Sequence, residues 1–482
     1  MKKLILKYKL SPVQVKASFW FLICSFLQKG ISMITTPIFT RLLSTAEYGE
    51  FNVFNSWYSI AFIFVSLSLS SGVYTQGLVK YDKQRKIFSS SLQGLTLTLV
   101  VLWTVIYLAF KEFWNNLFSM STTLMLAMLV MIWTSSAFGF WAAEQRVNYK
   151  YRALVVITLV VSIAKPMLGI LLVTHSDDKV TMRILGLVLV EIIGYTWCGV
   201  VQIIRGKKFF SKQFWIYALS YNLPLIPHYL SQMILNNSDR IMINDMVGSD
   251  VAGIYSLAYS LAMIMTLFNN ALGQTISPWM YQKIKEKKIG DIAPVAYLSI
   301  AVVIVVNMLL IAFAPETVRI FAPKSYYEAI YCIPPVAMGV LFLYSYDLFA
   351  KFAFYYERTT MIMLASIGGA ILNIVLNYIG IKMFGYIAAA YTTLICYIAF
   401  DIFHYVLMTK ICNKYLDKVK PYNTRKLILV TILFLIVGFI LMSTYEHPVI
   451  RYSIIVLCGI FIFIKRKMIL KKLNILFSIK KR

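Results

Sequence analysis

Residues 21–42 read FLICSFLQKGISMITTPIFTRL. A helix crosses the hydrocarbon core of a bilayer with about 20 predominantly apolar residues, and this run is long and apolar enough to do so. Deep inside it stands a single charge, Lys29. A lysine at the centre of a membrane helix costs about 2.5–3.5 kcal/mol on insertion scales. A chain that keeps one there sets it against a partner, a wet cavity or a ligand.

The remainder of the chain is of the same kind. Hydrophobic residues make up 60% of the sequence and charged ones 14%, against about 45–50% and about 25% in soluble domains. Apolar runs of spanning length recur about fourteen times. They begin around Leu27 and Ile63 and end around Phe434 and Leu457; the least regular are the tenth, with Pro334, Pro335 and Asp347, and the short fourteenth. The chain is read as an all-α integral membrane protein of about 14 transmembrane helices.

Lys and Arg total 47 against 20 Asp and Glu, a formal charge of +27. In a soluble protein that excess would point to nucleic acid. Here the positive-inside rule accounts for it, and no nucleic acid is expected. Basic clusters such as KYDKQRK, RGKKFFSK and YQKIKEKK follow even-numbered spans, whereas THSDDK and STYEHP follow odd-numbered ones. Both termini are therefore expected on the cytoplasmic side. The N-terminal MKKLILKYKLSPVQVKASFW is basic, but it leads into a full-length span and is read as retained.

Catalytic and metal signatures are missing. The six cysteines show no CxxC spacing and read as buried thiols, and neither HExxH nor GxxxxGK[ST] occurs. No loop exceeds about 20 residues, which leaves no room for a catalytic domain outside the membrane. An enzyme is not expected.

Two stretches echo one another. TRLLSTAEYGEFNVFNSW follows the first span, and DRIMINDMVGSDVAGIYSLAYS follows the seventh. Each sets an arginine (Arg41, Arg240) at the helix exit, then a small or polar turn, an acidic residue, a glycine (Gly49, Gly253) and an aromatic-rich span. Internal repeats of this kind are typical of transporters. They imply two pseudo-symmetric six-helix lobes, residues 1–206 and 207–410, followed by 411–482 with a loop, two further helices and a basic tail.

Polar stripes mark the opening helix of each lobe. Ser25, Lys29, Ser32 and Thr36 fall at i, i+4, i+7 and i+11, with Gln28 and Thr35 beside them. In the seventh span His228, Gln232, Asn236 and Asp239 fall at i, i+4, i+8 and i+11, and Pro224 and Pro227 favour a kink. Interhelical hydrogen bonding explains single Ser or Thr residues. It does not require Lys29, so both stripes are expected to line a water-filled cavity. Lys165 and Glu191 lie mid-span at similar depth on adjacent helices and can pair as a structural salt bridge or carry a cavity charge. Asp347 and Lys351 form an ordinary i, i+4 pair, and Asp401 is expected to face the interface.

GISMITTPIFTRLLSTAEYGEFNVF and NNSDRIMINDMVGSDVAGIYSLAYSL resemble the two signature regions of bacterial polysaccharide flippases. These belong to the multidrug/oligosaccharidyl-lipid/polysaccharide exporter superfamily. The resemblance implies two six-helix lobes around a central cavity, with the first and seventh helices among those lining it. It also implies a cargo, undecaprenyl-diphosphate-linked oligosaccharide repeat units, flipped from the cytoplasmic to the outer leaflet of the bacterial cytoplasmic membrane for capsule, O-antigen or exopolysaccharide. Arg41, Asp239 and Arg240 are carried over from its motif positions; Lys29 rests on the reading above.

On this expectation Lys29, Arg41 and Arg240 meet the diphosphate, while Ser25, Gln28, Ser32, Gln232 and Asn236 hydrogen-bond sugars. Asp239, Glu191 and His228 are the candidates for coupling to H+, Na+ or the membrane potential, with no other cofactor. Membrane lipids are expected partners, as are a polysaccharide polymerase and chain-length machinery. Two alternatives stand beside this: a drug or metabolite/cation antiporter of the same superfamily, for which cavity carboxylates are diagnostic, and a membrane polymerase, which needs a sizeable loop.

Overall fold

The computed structural model describes residues 12–464 and residue 466. The basic N-terminal residues 1–11 and the basic C-terminal tail from 467 lie outside them, as does the side chain of Cys458. Among the described residues the chain is helical throughout its ordered elements, with no strand. It divides into two compact units, Met1–Met233 and Ile234–Arg482.

The first unit contains α1 (Val13–Leu42), α2 (Thr45–Ser66), α3 (Gly72–Lys80), α4 (Arg85–Ala109), α5 (Lys111–Phe118), α6 (Thr122–Val147), α7 (Tyr151–Thr174), α8 (Lys179–Gly206) and α9 (Lys212–Asn222). The boundary falls within α10 (Ile226–Met246). The second unit continues with α11 (Ser249–Met263), α12 (Thr266–Lys285), α13 (Ile292–Ala312), α14 (Ala314–Phe321), α15 (Ala329–Tyr355), α16 (Thr359–Phe384) and α17 (Ala388–Tyr415). The last helices are α18 (Thr424–Ser443) and α19 (Pro448–Ile464).

A helix stands at every expected span, and among the described residues 11 are long and apolar enough to cross a membrane. The three that fall short do so for visible reasons. The second, α2, has 22 residues but carries Asn52, Asn55, Ser56 and Ser59, and the chain breaks after it, where Leu67 and Ser68 take left-handed backbone angles. The seventh is broken around Pro224 and carries the polar residues of α10. The fourteenth, α19, has 17 residues. The tenth, α15, runs unbroken through Pro334 and Pro335 and is deeply buried.

The chain order of elements repeats. A broken span (α2 and α3; α11 and α12), a long helix (α4; α13), an eight-residue helix (α5; α14) and three long helices follow one another in each half. The signature loops match more closely than their sequences do. Two residues separate α1 from α2, and two separate α10 from α11. Gly49 and Gly253 are each the fifth residue of the helix that follows. In the first loop Ser44 closes a capping box with Glu47 (3.2 Å and 2.7 Å). In the second Gly248, at φ 136°, opens α11 in a conformation that excludes side chains.

Exposure is inverted relative to a soluble protein, as lipid requires. Leu429, Ile432, Leu433 and Ile436 on α18 and Val105 and Leu108 on α4 are exposed. Polar Ser89, Ser90, Gln93 and Gln202 are buried, with Gln93 donating to Gln202 Oε1 at 2.8 Å. The appended α19 is fastened to α14: buried Arg451 pairs with Glu316, and the Tyr452 hydroxyl donates to the same carboxylate at 2.6 Å. Tyr445 ties the preceding turn to Ile311 O at 2.6 Å.

Candidate functional site

On α1 three hydroxyl groups of the polar stripe donate to their own helix. Ser25 donates to Phe21 O at 3.0 Å, and Thr35 and Thr36 donate to Ser32 O at 3.2 Å and 2.8 Å. Gln28 turns to α7 and donates to Ser162 Oγ at 3.3 Å. Ser25, Gln28, Lys29 and Ser32 are all exposed. Lys29 makes no ion pair or hydrogen bond among the described residues. At the end of α1, Arg41 folds back to Pro37 O at 2.8 Å, and Lys179 caps Leu42 O at 3.1 Å. Beside that end lies an open pocket of about 500 Å³ lined in part by Leu42, His175, Asp177 and Lys179.

Lys165 and Glu191 meet. Helices α7 and α8 approach closely at Gly169 and Gly186, where an added Cβ on Gly186 would stand 3.1 Å from Gly169 Cα. That contact sets Lys165 Nζ 2.6 Å from Glu191 Oε1. Thr134 and Ser135 of α6 donate to Oε2 at 2.8 Å and 3.0 Å, and Glu191 is buried. Its carboxylate is thus fully engaged. Glu191→Ala is expected to lower stability by about 2–3 kcal/mol, because it leaves the half-buried Lys165 unpaired and strands the Thr134 and Ser135 hydroxyls. Lys165→Met with Glu191→Gln should recover most of that loss, measured as thermal midpoints of purified protein in detergent.

The polar stripe of the seventh span divides at the unit boundary. In the first unit, His228 is half-buried with its ring 5.9 Å from that of Tyr229 and its Nδ1 unpartnered among the described residues; Gln232 is half-buried. In the second unit, Asp239 is 1% exposed. Its carboxylate accepts from the Tyr255 hydroxyl at 2.7 Å, from Thr393 Oγ1 at 2.8 Å and from Asn377 Nδ2 at 2.5 Å. No cation lies within ion-pair distance of it among the described residues. Asn377 also donates to Asn373 Oδ1 at 3.2 Å, which accepts from Ser238 at 2.8 Å, while Asn373 Nδ2 has no partner among the described residues. The result is a buried carboxylate in a shell of neutral hydroxyl and amide groups, able to change charge by taking a proton or a small monovalent cation.

Asn236 lies beside this node, its Oδ1 accepting from Tyr259 at 3.4 Å and from Tyr397 at 3.3 Å. Arg240 differs from the sequence expectation. Helix α10 continues to Met246, so Arg240 lies inside the helix rather than at its exit. The offset between the arginine and glycine positions of the two signature stretches is absorbed as extra helix. Five residues correspond to about 7.5 Å of rise and about 140° of rotation. Arg240 therefore does not repeat the position of Arg41. It lies 4.5 Å from the Tyr259 ring centroid and donates to Asn237 Oδ1 at 3.3 Å.

Tyr255, Asn373, Asn377 and Thr393 were not singled out from sequence. A signal existed: ILNIVLNYIG places Asn373 and Asn377 one turn apart in an otherwise apolar helix.

The chain is a multi-pass all-α membrane protein, and two family models place it in the multidrug/oligosaccharidyl-lipid/polysaccharide exporter superfamily. Within that superfamily the chain belongs to the polysaccharide biosynthesis protein family, whose model matches residues 15–284. The MatE family model matches residues 224–379. Among solved structures, the lipid II flippase MurJ in an inward closed conformation superposes with a TM-score of 0.64 at 16% identity, over 89% of this chain and 98% of that one. An inward-facing multidrug resistance MATE family transporter gives 0.61 at 12% identity, over 80% and 96%. Lsg locus putative protein 1 of Haemophilus influenzae is 23% identical over 392 residues, 74% of this chain and 89% of its own length. An uncharacterised membrane protein of Methanocaldococcus jannaschii is 22% identical over 442 residues, 84% and 86%.

Proposed function

We propose that the protein flips undecaprenyl-diphosphate-linked oligosaccharide repeat units from the cytoplasmic to the outer leaflet of a bacterial cytoplasmic membrane. The observation that carries this reading is Lys29, an exposed cation without an ion-pair or hydrogen-bond partner among the described residues, in a helix of spanning length. Family membership supports it. In this reading Lys29 and Arg41 attract the diphosphate, Ser25, Gln28 and Ser32 on α1 offer hydrogen bonds to sugars, and Gln232 and Asn236 on α10 offer others. Arg240 is a further candidate cation for the diphosphate. The polyprenyl tail stays in lipid while the lobes alternate access.

This reading puts both termini in the cytoplasm together with the basic loops, as the positive-inside rule expects. The inside-negative potential favours outward movement of a negative headgroup by about 2.3 kcal/mol per charge per 100 mV. Asp239 is the coupling carboxylate for H+ or Na+ in this reading, Glu191 being committed to Lys165 and His228 a secondary candidate. A polymerase and chain-length machinery would use the product; the protein itself makes and breaks no bonds.

A second reading, a cation-coupled drug or metabolite antiporter, is favoured by the MatE match, which includes Asp239. One experiment separates the two. In a strain lacking the protein, lipid-linked oligosaccharide is expected to accumulate as single repeat units on the cytoplasmic leaflet and to clear when the gene is restored. Absence of accumulation would favour the antiporter, and accumulation on the outer leaflet would indicate a polymerase.

A further inference from the structure

We propose that Asp401 and His404 form a second proton-exchange site within the second unit, linking Asp239 to the Lys/Arg-rich end of α17 and making the proton the co-ion. The proposal rests on reading Asp239 as the coupling carboxylate. Thr393, Tyr397, Asp401 and His404 occupy i, i+4, i+8 and i+11 of α17, one face of the helix over about 16 Å of rise. At the top of this column Thr393 holds Asp239, and Tyr397 lies 3.4 Å from the Tyr259 hydroxyl. One turn further Asp401, half-buried instead of facing an interface, accepts from Ser345 of α15 at 2.6 Å.

His404 is the unusual member. It is 0% exposed, packed against Tyr346 (5.1 Å between ring centroids) and Phe400 (4.3 Å). Its Nδ1 lies 2.9 Å from Phe400 O, a group that only accepts, so Nδ1 carries the hydrogen. In the neutral ring Nε2 is then a bare acceptor, buried and without any donor among the described residues. Proton uptake is the chemistry an imidazole nitrogen performs near neutral pH, and sodium does not substitute for it.

Charged and titratable side chains flank this stretch on two helices. Helix α15 brings Tyr346, Asp347 and Lys351, the last two paired at 2.7 Å, and α17 itself brings Asp401. The half of α16 packed along this stretch, residues 359–377, has no charged residue. A proton leaving Asp239 passes between hydroxyl oxygens, each accepting one proton and releasing its own. It neutralises the Asp401 carboxylate, moves to His404 Nε2 to give an imidazolium, and leaves to water at the end of α17. Gaps of one turn are crossed by a water or a side-chain swing.

The chain has four histidines, so a ¹⁵N-histidine spectrum of the purified protein can be assigned by comparison with His404→Gln. One ring, absent in that variant, is expected to gain a second N–H as pH falls from about 8 to about 5. The pH at which it does so should move when Asp239 is replaced by Asn. In inverted membrane vesicles carrying lipid-linked oligosaccharide, His404→Gln is expected to lose at least about tenfold of the flux driven by a pH gradient, at normal abundance. Should that variant accumulate poorly, Asp401→Asn reads the same flux. A ring that stays singly protonated throughout, wild-type flux in the variant, or flux driven by a sodium gradient alone overturns the proposal. If wild-type vesicles move no oligosaccharide, the flippase reading falls, and the histidine titration with its response to Asp239→Asn decides this proposal by itself.

Discussion

Lys29→Gln is expected to reduce transport by about one to two orders of magnitude while protein abundance stays normal or rises. Glutamine keeps the length and hydrogen-bonding capacity of the side chain and removes only the charge. A hydrogen bond to a charged group contributes about 1.5–3 kcal/mol, which sets the size of the loss. Stability should not fall, because Lys29 has no partner among the described residues to be stranded. Insertion should become easier, since a central lysine is disfavoured by about 2.5–3.5 kcal/mol. Measuring repeat-unit translocation together with membrane abundance checks both halves. Full activity in the variant would remove Lys29 from the mechanism, and low abundance with normal specific activity would make it structural.

Asp239 gives the opposite signature. Asp239→Ala strands the hydroxyls of Tyr255 and Thr393 and the amide of Asn377 in a buried site. Each unsatisfied group costs about 1–3 kcal/mol, so a large fall in thermal midpoint is expected. Asp239→Asn is the informative variant: it retains shape and one acceptor oxygen, and both hydroxyls can turn to accept from the new amide. Its stability should drop by about 1–2 kcal/mol, yet gradient-driven transport should fall by at least about tenfold, because the residue no longer changes charge. Transport at wild-type rate in Asp239→Asn, with gradient dependence intact, would exclude this residue from coupling.

The spans were legible because a bilayer leaves the backbone few options, so each must be a run of apolar residues. The pairing of Lys165 with Glu191 was legible too, since sequential antiparallel helices place residues of similar depth side by side. The shell of Asp239 was not. Two of its three partners come from positions 138 and 154 residues away, and they are neutral Asn and Thr, common in membrane helices for ordinary packing. Arg240 was misplaced for another reason. The signature stretches were matched by residue type, whereas the structure matches them by helix boundary, with the extra residues inside α10. The breaks in the second and seventh spans follow from backbone angles at Leu67 and Ser68 and from Pro224. Only Pro224 announces itself in the sequence.

The bond between Arg451 and Glu316 also bears on how such a chain can change over generations. A terminal hairpin looks like the most dispensable part of a protein, open to gain and loss. Once its arginine has been set against a carboxylate of α14, that freedom is gone in one direction. Deleting α19 would leave Glu316 facing a vacated site, with the Tyr452 hydroxyl lost as well. Restoring balance would need a second, matching change at Glu316. A single truncation before α19 therefore trades a paired carboxylate for an unpaired one.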